Sequence, residues 1–260
     1  MSGPEDANEG ARRLERLYST PDVVAQRAAT LEKLRLAKGQ AVIDVGSGPG
    51  FLCESMADLV GPSGRVLGID ISAELVGRSA RRNHRRWLSY HVCDATAIDA
   101  ADASFDVLTC VQVAEFIPEV DRVVSEAFRV LKPGGRALFV ATDWDGVVWH
   151  SDAPARMAAV MKSWEAHRAH PRLPRTMARH LRGGGFVLKE ASMFPILNLE
   201  WGDDTYSKGI AGFIRDFVAR RGEVGKDDLT AWYGEFPRLS EEGRYFFSTG
   251  RVIFVASKPK

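Results

Sequence analysis

The sequence predicts an α/β fold with a mostly parallel sheet. Short apolar runs alternate with longer stretches of helical periodicity through the first 142 residues. The runs are apolar at nearly every position, which is typical of strands that helices cover on both faces. Three glycines, Gly46, Gly48 and Gly50, directly follow the first run and predict a tight turn between a strand and a helix. Repeated strand, helix, strand units of this kind form parallel sheets with right-handed crossovers.

Five strands and three helices are predicted in this part of the chain. The strands are QAVIDV (40–45), GRVLGID (64–70), LSYHVCD (88–94), SFDVLTCV (104–111) and GRALFVAT (135–142). The helices span 51–60, 73–86 and 119–131, and the proline and glycines of LKPGG end the last one. A further helix precedes the first strand, with Thr20 as its N-cap and Pro21 at its first position. The stretch LERLYS ahead of it predicts a short helix or arm.

The pattern changes after residue 143. SDAPARMAAVMKSWEAHRAH and PRTMARHLRGG predict helices, while GFVLKEASMFPIL and the end of RYFFSTGRVIFVASKPK predict strands. The segment 198–243 between these strands carries the aromatic residues Trp201, Tyr206, Phe213, Phe217, Trp232, Tyr233 and Phe236 on predicted helices. Since this segment is too long and too aromatic for an ordinary connection, it predicts a helical cap inserted before the last strand.

Composition excludes several classes of protein. With 260 residues, of which 45% are hydrophobic, the chain can bury a core and is not a disordered protein. A formal net charge of +1 gives no general attraction to nucleic acid or anionic lipid. Cys53, Cys93 and Cys110 are scattered without a CxxC pair, which favours a reducing compartment. No run of about 18 apolar residues occurs, so we expect a soluble cytoplasmic protein without a membrane partner.

The glycine turn in AVIDVGSGPGFL indicates an adenosine-containing ligand. It reads GxGxG, and Phe51 stands where the dinucleotide fingerprint GxGxxG has its last glycine. Pro49 removes an amide that a pyrophosphate would use, and Asp44 suits a cationic ligand better than a phosphate. Asp70 ends the second strand, where a carboxylate accepts hydrogen bonds from both hydroxyls of a ribose. Asp94 ends the third strand, within reach of an adenine amine.

These features, together with VLKPGGR before the fifth strand, resemble the class I S-adenosylmethionine-dependent methyltransferases, most closely the UbiE-like, type 11 group that acts on small molecules. Specific motifs carry the resemblance over 18–142, and the strand pattern alone carries it over 185–257. It implies a Rossmann-like sheet of seven mostly parallel strands, the last one antiparallel, with an N-terminal helical arm and a helical cap inserted before the last strand. The expected organisation is a single domain over 1–260, with the arm at 1–39, a cofactor-binding core at 40–142, substrate-side helices at 143–185 and the cap at 198–243.

The resemblance also implies S-adenosylmethionine as the cofactor and a set of residues that hold it. Asp44 is expected to hold the amino group, Asp70 the ribose hydroxyls and Asp94 the adenine amine. Asp94 could instead cap a following helix, Gln112 could only cover the end of its strand, and Tyr18 could only pack on the first helix. The implied cofactor site consists of Tyr18, Asp44, Gly46, Ser47, Gly48, Gly50, Asp70, Ile71, Asp94, Ala95, Val111 and Gln112.

The expected chemistry is an in-line displacement. A sulfonium methyl is already electrophilic, so the protein mainly aligns the acceptor and excludes water, and a general base is needed only if the acceptor loses a proton. Asp143 and His150, in TDWDGVVWH after the fifth strand, are the candidates for this catalytic role. Trp144, Trp149 and His167 are candidate substrate contacts. The residues after the fourth and fifth strands do not match magnesium-dependent catechol-type sites, so no metal is expected.

We therefore expect methyl transfer to a small organic acceptor. The accepting atom (oxygen, nitrogen, carbon or sulfur) and the assembly (monomer or homodimer) are left open. One alternative is an RNA or protein methyltransferase that uses the arginine-rich stretch GRSARRNHRRW, from Arg78 to Arg86. These arginines also suit a solvated helix face, and no aromatic stacking platform accompanies them, so nucleic acid is not the expected partner. A second alternative is a protein that binds S-adenosylmethionine without catalysing transfer.

Overall fold

The strands and helices follow one another nearly in the order that the sequence predicts. The structure is a computed structural model and describes residues 4–260. The strands are β1 (Ala41–Val45), β2 (Arg65–Asp70), β3 (Leu88–Val92), β4 (Phe105–Val111), β5 (Leu131–Thr142), β6 (Val148–Trp149), β7 (Val187–Asn198) and β8 (Phe247–Ser257). The helices are α1 (Pro4–Tyr18), α2 (Pro21–Leu34), α3 (Phe51–Val60), α4 (Ala73–Arg82), α5 (Val120–Val130), α6 (Pro154–Glu165), α7 (Pro174–Gly183), α8 (Tyr206–Arg221) and α9 (Lys226–Glu241).

All the strands belong to one mixed sheet. The order β3-β2-β1-β4-β5 is parallel throughout, and β8 then pairs antiparallel with β5 and with β7. This arrangement confirms the expected mostly parallel sheet with an antiparallel last strand. The two-residue strand β6, which pairs with the beginning of β8, was not predicted.

Burial explains why the central strands lack polar positions. Every residue of β1 is buried, and alternate side chains enter different hydrophobic clusters on the two faces of the sheet. Ile43 and Leu108 pack in the cluster that contains α5, while Val42 and Val107 pack in the cluster that contains α3. Helices cover both faces of the sheet and exclude water from the strands. Functional side chains are therefore confined to the strand ends.

The extents of α1 and α4 and the capping of α2 differ from the prediction. α1 runs from Pro4 to Tyr18 and is longer than the expected short arm. α2 begins at Pro21 as predicted, but the Thr20 hydroxyl donates to the carbonyl of Leu17 at 2.8 Å and caps no amide of the helix. α4 ends at Arg82 rather than at residue 86, because the Asn83 side-chain amide donates to carbonyls further along the chain and turns it toward β3.

Two helices lie between β7 and β8, as the aromatic segment predicted. α8 and α9 pack on each other and on α6, and Trp232 and Phe236 are fully buried between them. α1 packs on α8, with Arg13 paired to Asp216. The N-terminal arm and the cap therefore meet above the carboxyl ends of β1 and β4. No helix in the described part of the chain is long and apolar enough to cross a membrane.

Candidate active site

A cavity of about 280 Å³ lies where the carboxyl ends of β1 and β4, the arm and the cap meet. Core residues at strand ends form one wall, residues of α1 and α2 form a second, and the third comes from the segment after β5 together with α8 and β8. The polar and aromatic residues that line the cavity include Tyr18, Gln26, Arg27, Asp44, Ser47, Gln112, Glu115, Phe116, Trp144, Trp164, His167, Arg168, Tyr206, Phe213 and Arg251.

The glycine turn forms the floor of this cavity on the β1 side. Gly46 has φ +72°, and a Cβ atom there would lie 2.1 Å from Cγ2 of Val113. The amides of Gly46 and Ser47 both donate to the carbonyl of Ile69 at 2.8 Å, which fixes the turn against β2. Gly48, also left-handed at φ +51°, has open space where a side chain would project. Gly46 thus permits a close approach between the turn after β1 and Val113 after β4, and Gly48 leaves the backbone open toward a ligand.

Asp44 is a buried carboxylate at the end of β1. It is 2% exposed, accepts a hydrogen bond from the Thr109 hydroxyl at 2.5 Å, and lies 3.2 Å from the Cys53 thiol, which donates to its other oxygen. Burial raises the pKa of Asp44 to about 6, although both hydrogen bonds oppose that shift. An uncompensated buried carboxylate facing a cavity is suited to a cationic ligand group.

We expect ligand affinity to depend on pH through Asp44. A cationic amino group binds the ionised carboxylate, so affinity falls as pH drops below about 6. S-adenosylhomocysteine binding measured by calorimetry should weaken roughly tenfold between about pH 7 and about pH 5. In Asp44→Asn, binding should be weak at both pH values and this slope should vanish. A slope that persists in Asp44→Asn would assign the titration to another group.

Asp70 and Ile71 occupy the end of β2 beside the glycine turn. Asp70 Oδ2 accepts from the Gly48 amide and Oδ1 from the Ser72 amide, each at 2.9 Å. The cap of α4 is Ser72, whose hydroxyl accepts from the Leu75 amide. A carboxylate has about four acceptor positions and Asp70 uses two of them, so it can accept further hydrogen bonds from ligand hydroxyls. Ile71, 76% exposed, offers an apolar surface in the open.

Asp94 lies on the neighbouring strand end, since Asp70 and Val92 are paired in the β2–β3 register. It is exposed and accepts hydrogen bonds from the amide and the hydroxyl of Thr96 at 2.7 and 2.8 Å, which lower its pKa. A turn follows it rather than a helix, so the helix-cap alternative is wrong. Asp70 and Asp94 lie outside the cavity lining, at the same edge of the sheet.

Gln112 and Ser47 carry polar atoms that the protein leaves unsatisfied. Gln112 has φ +58°, an unusual value for a residue with a side chain, and its Oε1 accepts from the Thr142 hydroxyl at 2.8 Å. Gln112 Nε2 and Ser47 Oγ are buried and find no partner within the described residues. Unpaired buried donors are rare and costly, so their position in the cavity wall fits a ligand with acceptor atoms.

The arm contributes Tyr18, as expected, and Arg27, which the sequence analysis did not identify. Burial raises the pKa of Tyr18 to about 12, so its hydroxyl stays protonated. Arg27 donates to the carbonyl of Tyr18 at 3.3 Å, and its guanidinium carbon lies 5.4 Å from the centre of the Phe51 ring. A cation therefore stands in the cavity wall near the glycine turn.

The cavity lining also contains a charged group, Glu115, Arg168 and Arg251, that the sequence analysis missed. Glu115, Arg168 and Arg251 are all less than 9% exposed. Arg168 Nε lies 3.6 Å from Glu115 Oε1, and Arg251 Nη1 donates to the Thr142 hydroxyl at 2.6 Å. Burial raises the pKa of Glu115, whereas it lowers the pKa of Arg168 to about 10.

The structure separates the candidate substrate contacts. Trp144 lines the cavity, while Trp149 is stacked on Phe236 at 4.6 Å within the cap core and lies outside the lining. His167 stands at the rim, stacked on Trp164 at 4.3 Å and still accessible to solvent. Desolvation of the ring and the nearby Arg168 lower its pKa to about 4, which keeps it neutral at pH 7.

The two candidate catalytic residues also lie outside the cavity lining. Asp143 Oδ2 accepts from Arg175 Nε at 2.6 Å, and its Oδ1 accepts from the Asp145 amide. His150 is exposed, with its Nε2 3.9 Å from Asp152 Oδ1. Because neither side chain lines the cavity, we assign no chemistry to them.

Most of the arginine-rich stretch pairs with acids of the same chain. Arg78 binds Glu15 of α1 through two hydrogen bonds of 2.6 and 3.0 Å. Arg82 pairs with Glu54 at 2.7 Å, and Arg85 pairs with Asp58 at 2.7 and 2.8 Å. These pairs attach α1 and α3 to the α4 region and give the arginines a structural role.

Comparisons with known proteins agree with this architecture. Residues 43–139 match a family model described as a methyltransferase domain, of type 11. The demethylmenaquinone methyltransferase of Lactococcus lactis is 28% identical over 172 residues, which are 65% of each chain. A putative methyltransferase of Bacillus halodurans superposes with a TM-score of 0.65 at 21% identity, covering 91% of this chain and 100% of that one.

Two further findings show how far the similarity to known proteins extends. The [4+2]-cyclase SpnF superposes with a TM-score of 0.58 at 20% identity, over 90% of this chain and 80% of that one. The matched segments span only 27% to 39% of the lengths of the first curated relatives. The expected resemblance is therefore confirmed: residues 43–139 match a type 11 methyltransferase domain, and the chain carries the fold of the class I S-adenosylmethionine-dependent methyltransferases.

Proposed function

We propose that the chain transfers a methyl group from S-adenosylmethionine to a small organic acceptor enclosed in the cavity. The observation that carries the proposal is a set of buried polar groups beside the glycine turn. The Asp44 carboxylate has only the neutral donors Thr109 and Cys53 as hydrogen-bond partners within the described residues, and Ser47 Oγ and Gln112 Nε2 are unsatisfied there. One anionic group and two donors match the ammonium and carboxylate of an amino acid.

The residues present can hold each part of this cofactor. Asp44 would bind the ammonium, while Ser47, Gln112 and Arg27 would bind the carboxylate. When bound, S-adenosylmethionine supplies an electrophilic methyl group, which bonds to a lone pair of the acceptor while the carbon–sulfur bond breaks and leaves its electrons on sulfur.

The adenosine would lie outside the cavity, along the neighbouring strand ends. There Asp70 would accept hydrogen bonds from the ribose hydroxyls, Ile71 would cover one face of the adenine, and Asp94 with the Ala95 amide would meet its polar edge. The exposure of Ile71 and Asp94 supports this placement.

The enclosure of the cavity supports a small acceptor rather than a macromolecule. The arm and the cap cover it with Tyr18, Tyr206 and Phe213, and its volume of about 280 Å³ is at the lower end of the range for small-molecule sites. Walls of this kind exclude water and hold an acceptor in line with the bond that breaks.

Internal pairing of Arg78, Arg82 and Arg85 weakens the case for an RNA-binding surface. We propose that residues 40–142 hold most of the cofactor, that Tyr18 and Arg27 of the arm help to hold it, and that the cap encloses the acceptor.

A general base is required only if the molecule that receives the methyl group carries a proton on its reacting atom. Glu115 is a buried carboxylate of the cavity lining that lies outside the glycine turn, and burial raises its pKa above the ordinary value. We assign this conditional role to Glu115 in place of Asp143 and His150.

Incubation with methyl-labelled S-adenosylmethionine and a cell extract tests the proposal. After separation by size, label should enter the small-molecule fraction, and calorimetry should show binding of S-adenosylhomocysteine. Label in RNA or protein would favour the macromolecular alternative. Binding without label in any fraction would favour a non-catalytic binding protein, and absence of binding would overturn the proposal.

A further inference from the structure

The charged group of the cavity lining, Glu115, Arg168 and Arg251, has a surplus of buried positive charge. Arg168 and Arg251 are 8% and 5% exposed, and Glu115, 1% exposed, is the carboxylate beside them. Among the described residues of the lining, the other carboxylate is Asp44, at the glycine turn. Two guanidinium groups therefore face one carboxylate, which leaves a surplus of positive charge even when Glu115 is ionised, and burial of an unpaired charge is costly.

The two guanidinium groups also have unused donors. Nε and Nη1 of Arg168 and Nε of Arg251 are buried, and residues 8–260 provide no hydrogen-bond partner for them. The Arg168–Glu115 separation of 3.6 Å is an ion pair without a hydrogen bond. An ordinary structural arginine of this depth has its donors satisfied, so these donors indicate a ligand with acceptor atoms.

Aromatic rings fix the orientation of both side chains. The guanidinium carbon of Arg168 lies 3.6 Å from the centre of the Trp144 ring and 4.6 Å from that of Trp164. The guanidinium carbon of Arg251 lies 4.8 Å from the centre of the Tyr206 ring. The rings partly offset the energetic cost of desolvating the two cations, and they form flat apolar walls around them.

We propose that the acceptor is a small organic monoanion, a carboxylate on a flat apolar body, whose anionic group is bound by Arg168 and Arg251. The inference rests on the proposed function and specifies its acceptor. One negative charge neutralises the surplus, planar guanidinium groups match a carboxylate, and the aromatic walls accommodate the apolar part. S-adenosylmethionine itself carries a net charge of about +1, which adds to the preference for an anion.

Pairs of carboxylates and their neutral amides test this inference. We would titrate 4-hydroxybenzoate against 4-hydroxybenzamide, and 2-naphthoate against 2-naphthamide, into protein saturated with S-adenosylhomocysteine. At least one carboxylate should bind about tenfold or more tightly than its amide. Arg168→Met and Arg251→Met should each remove most of this preference, while the lysine variants should keep part of it. Arg179→Met removes an exposed arginine of α7 and should leave the preference unchanged.

The outcomes separate the two proposals. If S-adenosylhomocysteine binds but no carboxylate binds better than its amide, the anionic acceptor is wrong and the proposed function stands. A preference that survives in both methionine variants would also overturn the assignment. If S-adenosylhomocysteine does not bind at all, the proposed function fails, and with it the role of the anion as acceptor. The comparison of ligands on the unmodified protein requires no variant to fold.

Discussion

Asp70→Ala is expected to weaken S-adenosylhomocysteine binding about 100-fold while the protein stays folded. Two charge-assisted hydrogen bonds to the ribose hydroxyls are worth about 3 kcal/mol together, which corresponds to that factor. The substitution also releases the Gly48 amide, to which Asp70 is bonded at 2.9 Å, and so loosens the glycine turn. Calorimetry gives the affinity, and thermal unfolding shows whether the fold is retained.

Asp99→Ala is the matched control for this prediction. Asp99 is an exposed aspartate in the loop after β3, and its side chain has no part in the proposed site. The Asp99→Ala variant should bind S-adenosylhomocysteine with the same affinity as the unmodified protein. Asp70→Asn keeps one acceptor oxygen and should lose less affinity than Asp70→Ala. Unchanged affinity in Asp70→Ala would remove the ribose role and the placement of adenosine at the end of β2.

The part of the site around the glycine turn was predictable because its signals are local. A buried strand followed directly by glycines places Asp44 at the carboxyl edge of the sheet, and the next strand places Asp70 beside it. Parallel pairing then brings both strand ends to the same edge. Ser72, directly before α4, caps that helix, so Asp70 is left to hold the glycine turn.

The charged group formed by Glu115, Arg168 and Arg251 was not predictable in the same way, because its members come from distant parts of the chain. Glu115 follows β4, Arg168 follows α6 and Arg251 lies within β8. Two of them carried a weak signal: Arg251 is a cation at an inward position of an apolar strand, and Glu115 interrupts an apolar stretch. Arg168 carried none, since arginines after a helix are usually solvated.

The misplaced catalytic candidates show the opposite error. Asp143 does follow a strand end, as a catalytic aspartate would, but α7 brings Arg175 against it and the side chain caps the short helix that begins at Trp144. A strand position indicates the edge of the sheet at which a side chain lies. Which way the side chain turns depends on helices that pack there later in the chain.

Gly46→Ala is expected to destabilise the protein by about 3 kcal/mol. A Cβ atom at this position would lie 2.1 Å from Val113 Cγ2 and 2.8 Å from Cγ1, and the left-handed φ adds about 1 kcal/mol of strain. For a chain of this size the melting temperature should fall by roughly 10 °C. Gly48→Ala, left-handed but in open space, provides the strain without the clash and should cost about 1 kcal/mol.

A double-mutant cycle with Val113→Ala isolates the steric contribution, because this change removes both methyl groups that the new Cβ would meet. Gly46→Ala/Val113→Ala should be about 2 kcal/mol more stable than the sum of the single effects predicts. Additive effects would mean that the turn relaxes away from β4 without cost. In that case close contact with Val113 would not be the reason for glycine at position 46, and the left-handed φ and ligand approach to an open backbone would remain as reasons. Coupling of the expected size would instead show that the floor of the cavity is shaped by strand packing before any ligand binds.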